Sequence, residues 1–461
     1  MPKSSRPTPR HPRRPSQQIS VADAFQLAMT VHRRGQPGLA ARHYRAILQV
    51  APGHADALHY LGVAQHQLGQ HDDALRLIAR ALELAPDYVD ARNNLGNVQK
   101  ERGHYADAER SYRQVIAARP DFAQAHNNLG VVLKEQGRHE EAVGAYRQAV
   151  ALAPGFVEAW TNLGHVLKKT GAQEEALSAY REAILLKPDD GRMLHSLGRA
   201  LVAYGRDAEA LEVYRRWQER EPDNPVVAHM IAACQGASAP ARASDAFVQT
   251  TFNRFADSFD QVLARLEYRA PALCAQLVAA QSDAPARQLE VLDAGCGTGL
   301  CGPLLRPYAR ALHGVDLAGA MLQKAALRGD YDTLDEAELT AWLSQHPAAY
   351  DLIVSADTLC YFGALQEILA AARLALRAGG LLVFTVEQGP DDGGQQAGYQ
   401  LHGHGRYSHT ERHVRAALAA ACLTVTALDP VTLRLEAGKP VAGLLAAARA
   451  PATATNTATG S

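Results

Sequence analysis

The feature that most constrains this chain is a period of 34 residues running through its first half. Pro52, Pro86, Pro120, Pro154, Pro188 and Pro222 fall one period apart, as do Gly35, Gly69, Gly103, Gly137, Gly171 and Gly205. Ala40, Ala74, Ala108, Ala142, Ala176 and Ala210 keep the step, and so do Leu27, Leu61, Leu95, Leu129, Leu163 and Leu197. A tyrosine recurs at 44, 112, 146, 180 and 214, with Ile78 in its place once. Each unit reads as two helices, the glycine closing the first and the proline ending the second. Small residues sit where the two helices cross. One such unit cannot bury its own apolar face, so the units must stack into a solenoid with an extended concave surface.

A helix–turn–helix unit of 34 residues resembles the tetratricopeptide repeat. Six units span 21–224, and Pro225–Gln235 reads as a capping helix. Asn94, Asn128 and Asn162 each precede a Leu-Gly pair, and Lys100, Lys134 and Lys168 recur in step. The NNLG phrasing at 93–96 and 127–130 resembles the repeat arms of O-GlcNAc transferases. That resemblance implies that these asparagines hold the backbone of an extended polypeptide, since an amide donates and accepts at once. The competing reading makes them solvent-facing consensus residues. Tyr60 and Ser196 occupy the position in flanking units, so a ladder would have three rungs.

Composition excludes little. Hydrophobic residues make up 47% of 461, enough for a sizeable core. With 47 basic against 48 acidic residues, overall charge offers no pull on nucleic acid or a membrane surface. Six cysteines include no C-x-x-C pair, which argues against zinc ligation and for free thiols in a reducing cytoplasm. Residues 1–18 are basic and rich in proline and serine but lack the apolar run of a secretory signal, and we expect a disordered tail. No run is apolar and long enough to span a bilayer.

The second half changes pattern. After a small, polar stretch at 237–244, expected to be a linker, Phe247, Phe252, Phe255, Phe259, Leu263 and Leu266 suggest amphipathic helix. Short apolar runs then follow at 290–293, 311–315, 351–355, 381–386, 423–427 and 431–435, mostly with helical stretches between them. Such alternation predicts a doubly wound parallel sheet. The last two runs are joined too closely for a parallel crossover, which predicts an antiparallel pair across Asp429-Pro430.

VLDAGCGTG, 291–299, is the chemical centre of this half. Strand residues running into alternating glycines make a sharp turn into a helix N-terminus, with backbone N–H groups open to a ligand. Gly297, Gly299 and Gly302 also fit the G-x-G-x-x-G of dinucleotide sites, so a hydride-transferring oxidoreductase competes. Several stretches resemble class I methyltransferases instead. Asp293 lies inside the motif, GVDLAGAML follows at 314–322, YDLIVSADTLCYFG at 350–363 and LRAGGLLVFTVE at 376–387. FNRFADSFDQVLARLEYRAP, 252–271, resembles the helical cap ahead of many such cores. The resemblance covers about 245–450 and implies S-adenosylmethionine as cofactor. It places Asp293 near the cofactor's amino-acid end, Gly295, Gly297, Thr298 and Gly299 among the cofactor-binding residues of the turn, Asp316 on the ribose hydroxyls, and Leu317 and Met321 against the adenine. It also asks for an acid at the adenine amino group, for which Asp330, Asp335 and Glu338 compete and Glu338 is preferred. Phe255, Phe259 and Tyr268 are candidates to close over the cofactor, or simply to pack the cap.

Asp357 and Tyr361, at the end of the fourth strand, are the candidate catalytic residues, with His409 from YQLHGHGRYSHTERHV, 399–414. His402, His404 and Tyr407 share that loop. Histidine accepts protons near neutral pH, but His409-Thr410 also reads as a helix cap. No carboxylate or thiolate completes a metal set with these histidines, so no metal is expected. Arg406 would bind an anionic acceptor or stabilise its own loop.

The sequence thus predicts an α-solenoid (19–236) followed by an α/β Rossmann-like methyltransferase domain (245–450) and a short tail (451–461). It further predicts a cytoplasmic enzyme whose repeats recruit a protein or peptide, without membrane or nucleic-acid partners. A small-molecule methyltransferase whose repeats localise or oligomerise it, and a non-catalytic cofactor-binding scaffold, are the alternatives.

Overall fold

The computed structural model of the chain describes residues 19–236, 239–390, 398–436 and 438–452. The expected tail at 1–18 and most of that at 451–461 lie outside these residues. The chain divides into two compact units, Met1–Lys187 and Pro188–Ser461.

Among its described residues the first unit holds five helix pairs, from Val21–Arg33 and Pro37–Val50 to Val157–Thr170 and Gln173–Leu186. The glycine after each first helix adopts the left-handed conformation, φ +74° at Gly35 and +81° at Gly171, which a side chain would disfavour. A second glycine in every unit but the first, where Ala28 stands, explains the periodic tyrosine. A Cβ on Gly96 would lie 2.7 Å from the Tyr112 ring, and one on Gly130 would lie 2.6 Å from Tyr146. Tyr112 and Tyr146 are fully buried there, and Ile78 fills the same place against Gly62.

The second unit begins with the sixth repeat, Gly191–Ala203 and Asp207–Arg220, and the helix Pro225–Gln235. Residues 239–244, expected to be a linker, form a hydrogen-bonded strap. Ala243 N–H donates to the Tyr361 carbonyl at 2.8 Å, and the N–H groups of Gly363 and Ala364 both donate to the Ala241 carbonyl at 2.8 Å. Tyr407 Oη donates to the Pro240 carbonyl at 2.8 Å. Residues 237–238 lie outside the described residues. The capping helix is tied down as well. The His229 ring stacks on Phe247 with centroids 3.8 Å apart, and its Nε2 reaches the Gly405 carbonyl at 2.9 Å.

The sheet comprises β1 (Leu289–Ala294), β2 (Ala309–Asp316), β3 (Thr333–Glu336), β4 (Tyr350–Ser355), β5 (Leu376–Gln388), β6 (Tyr399–Leu401), β7 (Tyr407–His409), β8 (Thr424–Glu436) and β9 (Lys439–Arg449). Its order is β3-β2-β1-β4-β5, with β1 to β5 parallel. Beyond β4, β5 pairs antiparallel with β9 over 381–387 and parallel with β7 at 387–388. This is the class I methyltransferase arrangement.

The expected antiparallel pair is relocated. The runs 423–427 and 431–435 are one strand, β8, and its partner is β9. Pro430 is accommodated because β8 pairs with β9 alone, and an edge strand can spare a backbone N–H.

Side chains alternate between two cores, as a sheet covered on both faces requires. Val291, Leu352, Leu381 and Val383 pack with Cys274 and Val278 of the helix Ala270–Gln281. Leu292, Ile353, Leu382, Phe384 and Val386 pack with Ile368, Leu369, Val414 and Leu418 on the opposite side. Each such Leu or Val removes surface worth roughly 1.5–3 kcal/mol. Among the described residues no helix is long and apolar enough to cross a membrane.

Candidate functional site

Where the parallel strands end, the chain must turn, and the turns after β1, β2 and β4 surround one cavity of about 720 Å³. This is the crevice in which open α/β sheets hold ligands. Its two ends are built differently.

At one end the wall is backbone. Gly295 N–H donates to the Val315 carbonyl at 2.8 Å, fixing the turn against β2. Gly297 N–H donates to Asp316 Oδ2 at 2.9 Å and Ala318 N–H to Oδ1 at 2.8 Å. The Leu317 N–H also bears on this carboxylate, which keeps acceptor capacity for a ligand hydroxyl. Burial raises the Asp316 pKa, and the N–H groups of Ala318 and Gly297 oppose the rise. Gly297 has φ +53°, and a Cβ there would meet nothing within 4 Å. The space in front of it is a cradle. Leu317, Met321 and Glu338 line the same end. Glu338 also caps the helix Leu339–Gln345, Oε2 accepting from Ala341 N–H at 2.8 Å. Thr298 Oγ1 donates to Asp260 Oδ1 at 2.5 Å, and Arg328 joins both, so the turn is stapled to the cap helix Phe259–Arg265.

Two expected cofactor residues lie beneath the turn, away from the cavity wall. Asp293 is 1% exposed, and its Oδ2 accepts from Tyr331 Oη at 2.6 Å. Alternation along β1 puts its side chain on the face opposite Leu292. Gly299, at φ +85°, leaves room for the same Tyr331 ring, 3.0 Å from where a Cβ would sit. Burial pushes the Asp293 carboxyl up to about 7, against the Tyr331 hydrogen bond.

At the other end the wall is charged side chains. Asp357 has φ +57°, a left-handed backbone that a non-glycine residue adopts only where its surroundings impose it. Its N–H donates to Thr385 Oγ1 at 2.8 Å. Its Oδ2 accepts from Arg434 Nη1 at 2.9 Å, while Oδ1 is buried without a hydrogen-bond partner among the described residues. Arg434 is 3% exposed and also bonds Glu387 and Glu436, the latter at 2.8 Å. Arg406 donates to Glu387 at 2.5 Å and Glu436 at 2.6 Å. Burial raises the Asp357 pKa, and Arg434 opposes this. Desolvation and the adjacent Arg406 hold His404 below the usual imidazole range. Tyr361 lines the cavity with its ring edge-on to Phe252, centroids 5.4 Å apart, and burial raises its phenol.

Aromatic rings bridge the two ends. Phe252, Phe255, Phe259 and Tyr268 all line the cavity. So do His195 and Arg199 of the sixth repeat and Met230 of the capping helix.

His409 is not on the cavity wall. It is 0% exposed in β7, its Nε2 donating to the Phe362 carbonyl at 2.8 Å behind the Leu359–Tyr361 turn. Thr410 alone caps the following helix. His402 bonds Ser408, and Tyr407 is buried against the strap. From this loop, His404, Gly405 and Arg406 face the cavity. Sequence reasoning missed Glu387, Arg434 and Glu436. The signal was a charge within or closing an apolar run, as in TLRLE at 432–436.

The asparagine rungs are cross-links between repeats. Asn94 Nδ2 meets His59 Nε2 at 2.8 Å, Asn128 Nδ2 donates to Asn97 Oδ1 at 3.1 Å, and Asn162 Nδ2 to Asn127 Oδ1 at 3.0 Å. Each of these amides thus commits one of its two N–H donors to a neighbouring helix.

Comparison with known proteins fits this division. Residues 55–121, 93–155 and 169–234 match tetratricopeptide repeat models, and 266–428 match a methyltransferase domain model. Over 84 residues the chain is 39% identical to methyltransferase-like protein 27 of Homo sapiens, covering 18% of this chain and 34% of that protein. Over 99 residues it is 34% identical to trans-aconitate 2-methyltransferase of Paracidovorax citrulli (strain AAC00-1), covering 21% and 38%. The chain therefore spans about a third of the length of these curated relatives. Among solved structures, it is similar to PilW, a type IV pilus biogenesis factor (20% identity, TM-score 0.42, 45% of this chain and 96% of that one). It is also similar to YrrB, a tetratricopeptide repeat protein (21% identity, TM-score 0.36, 41% and 97%).

Proposed function

Since the chain joins tetratricopeptide repeats to a methyltransferase domain of class I fold, we propose that it methylates an acceptor in this cavity with S-adenosylmethionine as donor. The observation that carries the cofactor is the pairing of the Gly297 cradle with Asp316. Open space lies in front of Gly297, and Asp316 keeps acceptor capacity for a ribose hydroxyl beside its backbone donors. Leu317 and Met321 supply apolar walls, and Glu338 supplies an acceptor beside them. The bound cofactor supplies an activated methyl group on a sulfonium. The chain's own work is to hold the acceptor, orient it and exclude water. Phe252, Phe255 and Phe259 of the cap helices do the excluding. Asp357 and Tyr361, at the end of β4, face the acceptor, and Asp357 takes its proton where it arrives protonated.

Calorimetric titration of S-adenosylmethionine into the protein and into Asp316→Ala tests the cofactor. No binding to the unmodified chain would sink it.

The repeats, in this reading, recruit a protein or peptide. The cavity fixes where that test must cut. Because His195, Arg199 and Met230 line it, a truncation at 237 would remove part of its wall. The informative comparison is the full chain against Pro188–Ser461, each incubated with tritiated S-adenosylmethionine and cell lysate. Equal labelling of the same proteins by both would remove recruitment by the first five repeats. One observation favours a small acceptor instead, the similarity to a trans-aconitate 2-methyltransferase. Label appearing only in low-mass material would establish that reading.

A further inference from the structure

The charged end of the cavity is unbalanced. Among the described residues, the carboxylates of Asp357, Glu387 and Glu436 face the guanidinium groups of Arg406 and Arg434. That leaves one carboxylate in excess. Asp357 Oδ2 accepts from Arg434, but Asp357 Oδ1 has no donor among the described residues. It is buried, and a buried acceptor without a donor ordinarily destabilises a fold. The residue is also held where it is at some expense, in a left-handed backbone pinned by Thr385. An uncompensated carboxylate fixed on a cavity wall calls for a donor that arrives with the ligand.

We propose that the methyl acceptor enters this end as a cationic amine whose N–H meets Asp357. This rests on the methyltransferase reading above and names its substrate class. Tyr361, Tyr268 and Phe252 line the same cavity, and aromatic faces attract an ammonium. His404 adds no positive charge at neutral pH, since desolvation and Arg406 keep it unprotonated. Arg199 and Arg254 line the cavity too, but the charges bearing on Asp357 are Arg434, Glu387, Arg406 and Glu436. Arg199 and Arg254 act instead on His195.

The step balances. The ammonium gives one proton to the Asp357 carboxylate, freeing the nitrogen lone pair. The N–C bond then forms as the methyl C–S bond breaks, the bonding pair stays on sulfur, and the positive charge passes to nitrogen. The proton on Asp357 leaves to solvent with the product.

Binding tests this without turnover. Phenethylamine and 3-phenylpropionate are titrated separately into the full chain saturated with S-adenosylhomocysteine. The amine is expected to bind at least tenfold more tightly than the acid. In Asp357→Asn its affinity should fall at least tenfold while S-adenosylhomocysteine affinity stays within twofold. Nα-acetyl-lysine amide, in a third arm, distinguishes a polypeptide side chain from a free small amine by which of the two binds more tightly. Equal affinity for amine and acid, or no amine binding, overturns the proposal. So does a preference for the acid, which would move the subsite to Arg199 and Arg254. Failure of S-adenosylhomocysteine to bind would strike the cofactor reading instead, and the amine–acid comparison run without it would still decide this one.

Discussion

The two ends of the cavity solve opposite problems with opposite materials. The end around Gly297 is made of backbone N–H groups, apolar side chains and the carboxylates of Asp316 and Glu338, from the turns after β1, β2 and β3. The end around Asp357 is made of ionised side chains drawn from β4, β5, β8 and the loop before β7. A backbone cradle has a fixed shape and little to lose when one side chain changes. A buried ion cluster has no such tolerance, because removing one member strands the rest. Substitutions at the first end should therefore show up in binding, and those at the second in stability.

The sharpest way to break that contrast is Arg434→Met. It leaves Arg406 alone among three carboxylates, and the protein should lose roughly 3–5 kcal/mol in denaturant unfolding. A loss under 1 kcal/mol would mean that the cluster is no more demanding than the glycine turn.

Next in size is a pH effect beneath the turn. The Asp293 carboxyl is pushed up to about 7 from an unfolded value near 3.8. The folded state thus holds the proton more tightly, so this group's contribution to stability is full below about pH 4 and is lost as pH rises to 7. The decline is on the order of 4 kcal/mol. Asp293→Asn, which keeps an oxygen for Tyr331, should flatten that part of the profile of melting temperature against pH. Parallel profiles for the two proteins would show that the buried acid is not titrating.

Asp316→Ala should weaken S-adenosylhomocysteine binding by about 1.5–3 kcal/mol, the value of hydrogen bonds to a charged group, and lower the melting temperature less than Arg434→Met does, since the groups that lose an acceptor are the backbone N–H groups of Gly297, Leu317 and Ala318. Gly297→Ala is the smallest. Its left-handed backbone costs a side chain about 1–2 kcal/mol. The added methyl meets open space in the protein, so the affinity loss should exceed the stability loss.

The same contrast explains what could be read from the chain alone. Repeats and the glycine turn are local patterns, in which spacing along the sequence is spacing in the fold. The solenoid, the parallel sheet, Gly297, Asp316, Leu317 and Met321 were accessible for that reason. The cluster around Arg434 was not, because Asp357 and Arg434 are 77 residues apart and no period connects them. His409 misled because a histidine-rich loop looks alike whether its rings face a ligand or a carbonyl. Its burial depends on β7 pairing with β5, which its three-residue length hides. Pro430 misled in the other direction. A proline inside an apolar run suggests a break, and only the edge position of β8 makes it continuous.

The sixth repeat obeys the same template as those before it, down to Gly198 under Tyr214, yet it belongs to the second unit and supplies part of its cavity wall. Gene rearrangement that adds or deletes whole periods upstream of Pro188 leaves every cavity residue in place, whereas losing the last period opens the cavity. The array is in this sense a ruler whose final division is fixed to the second unit.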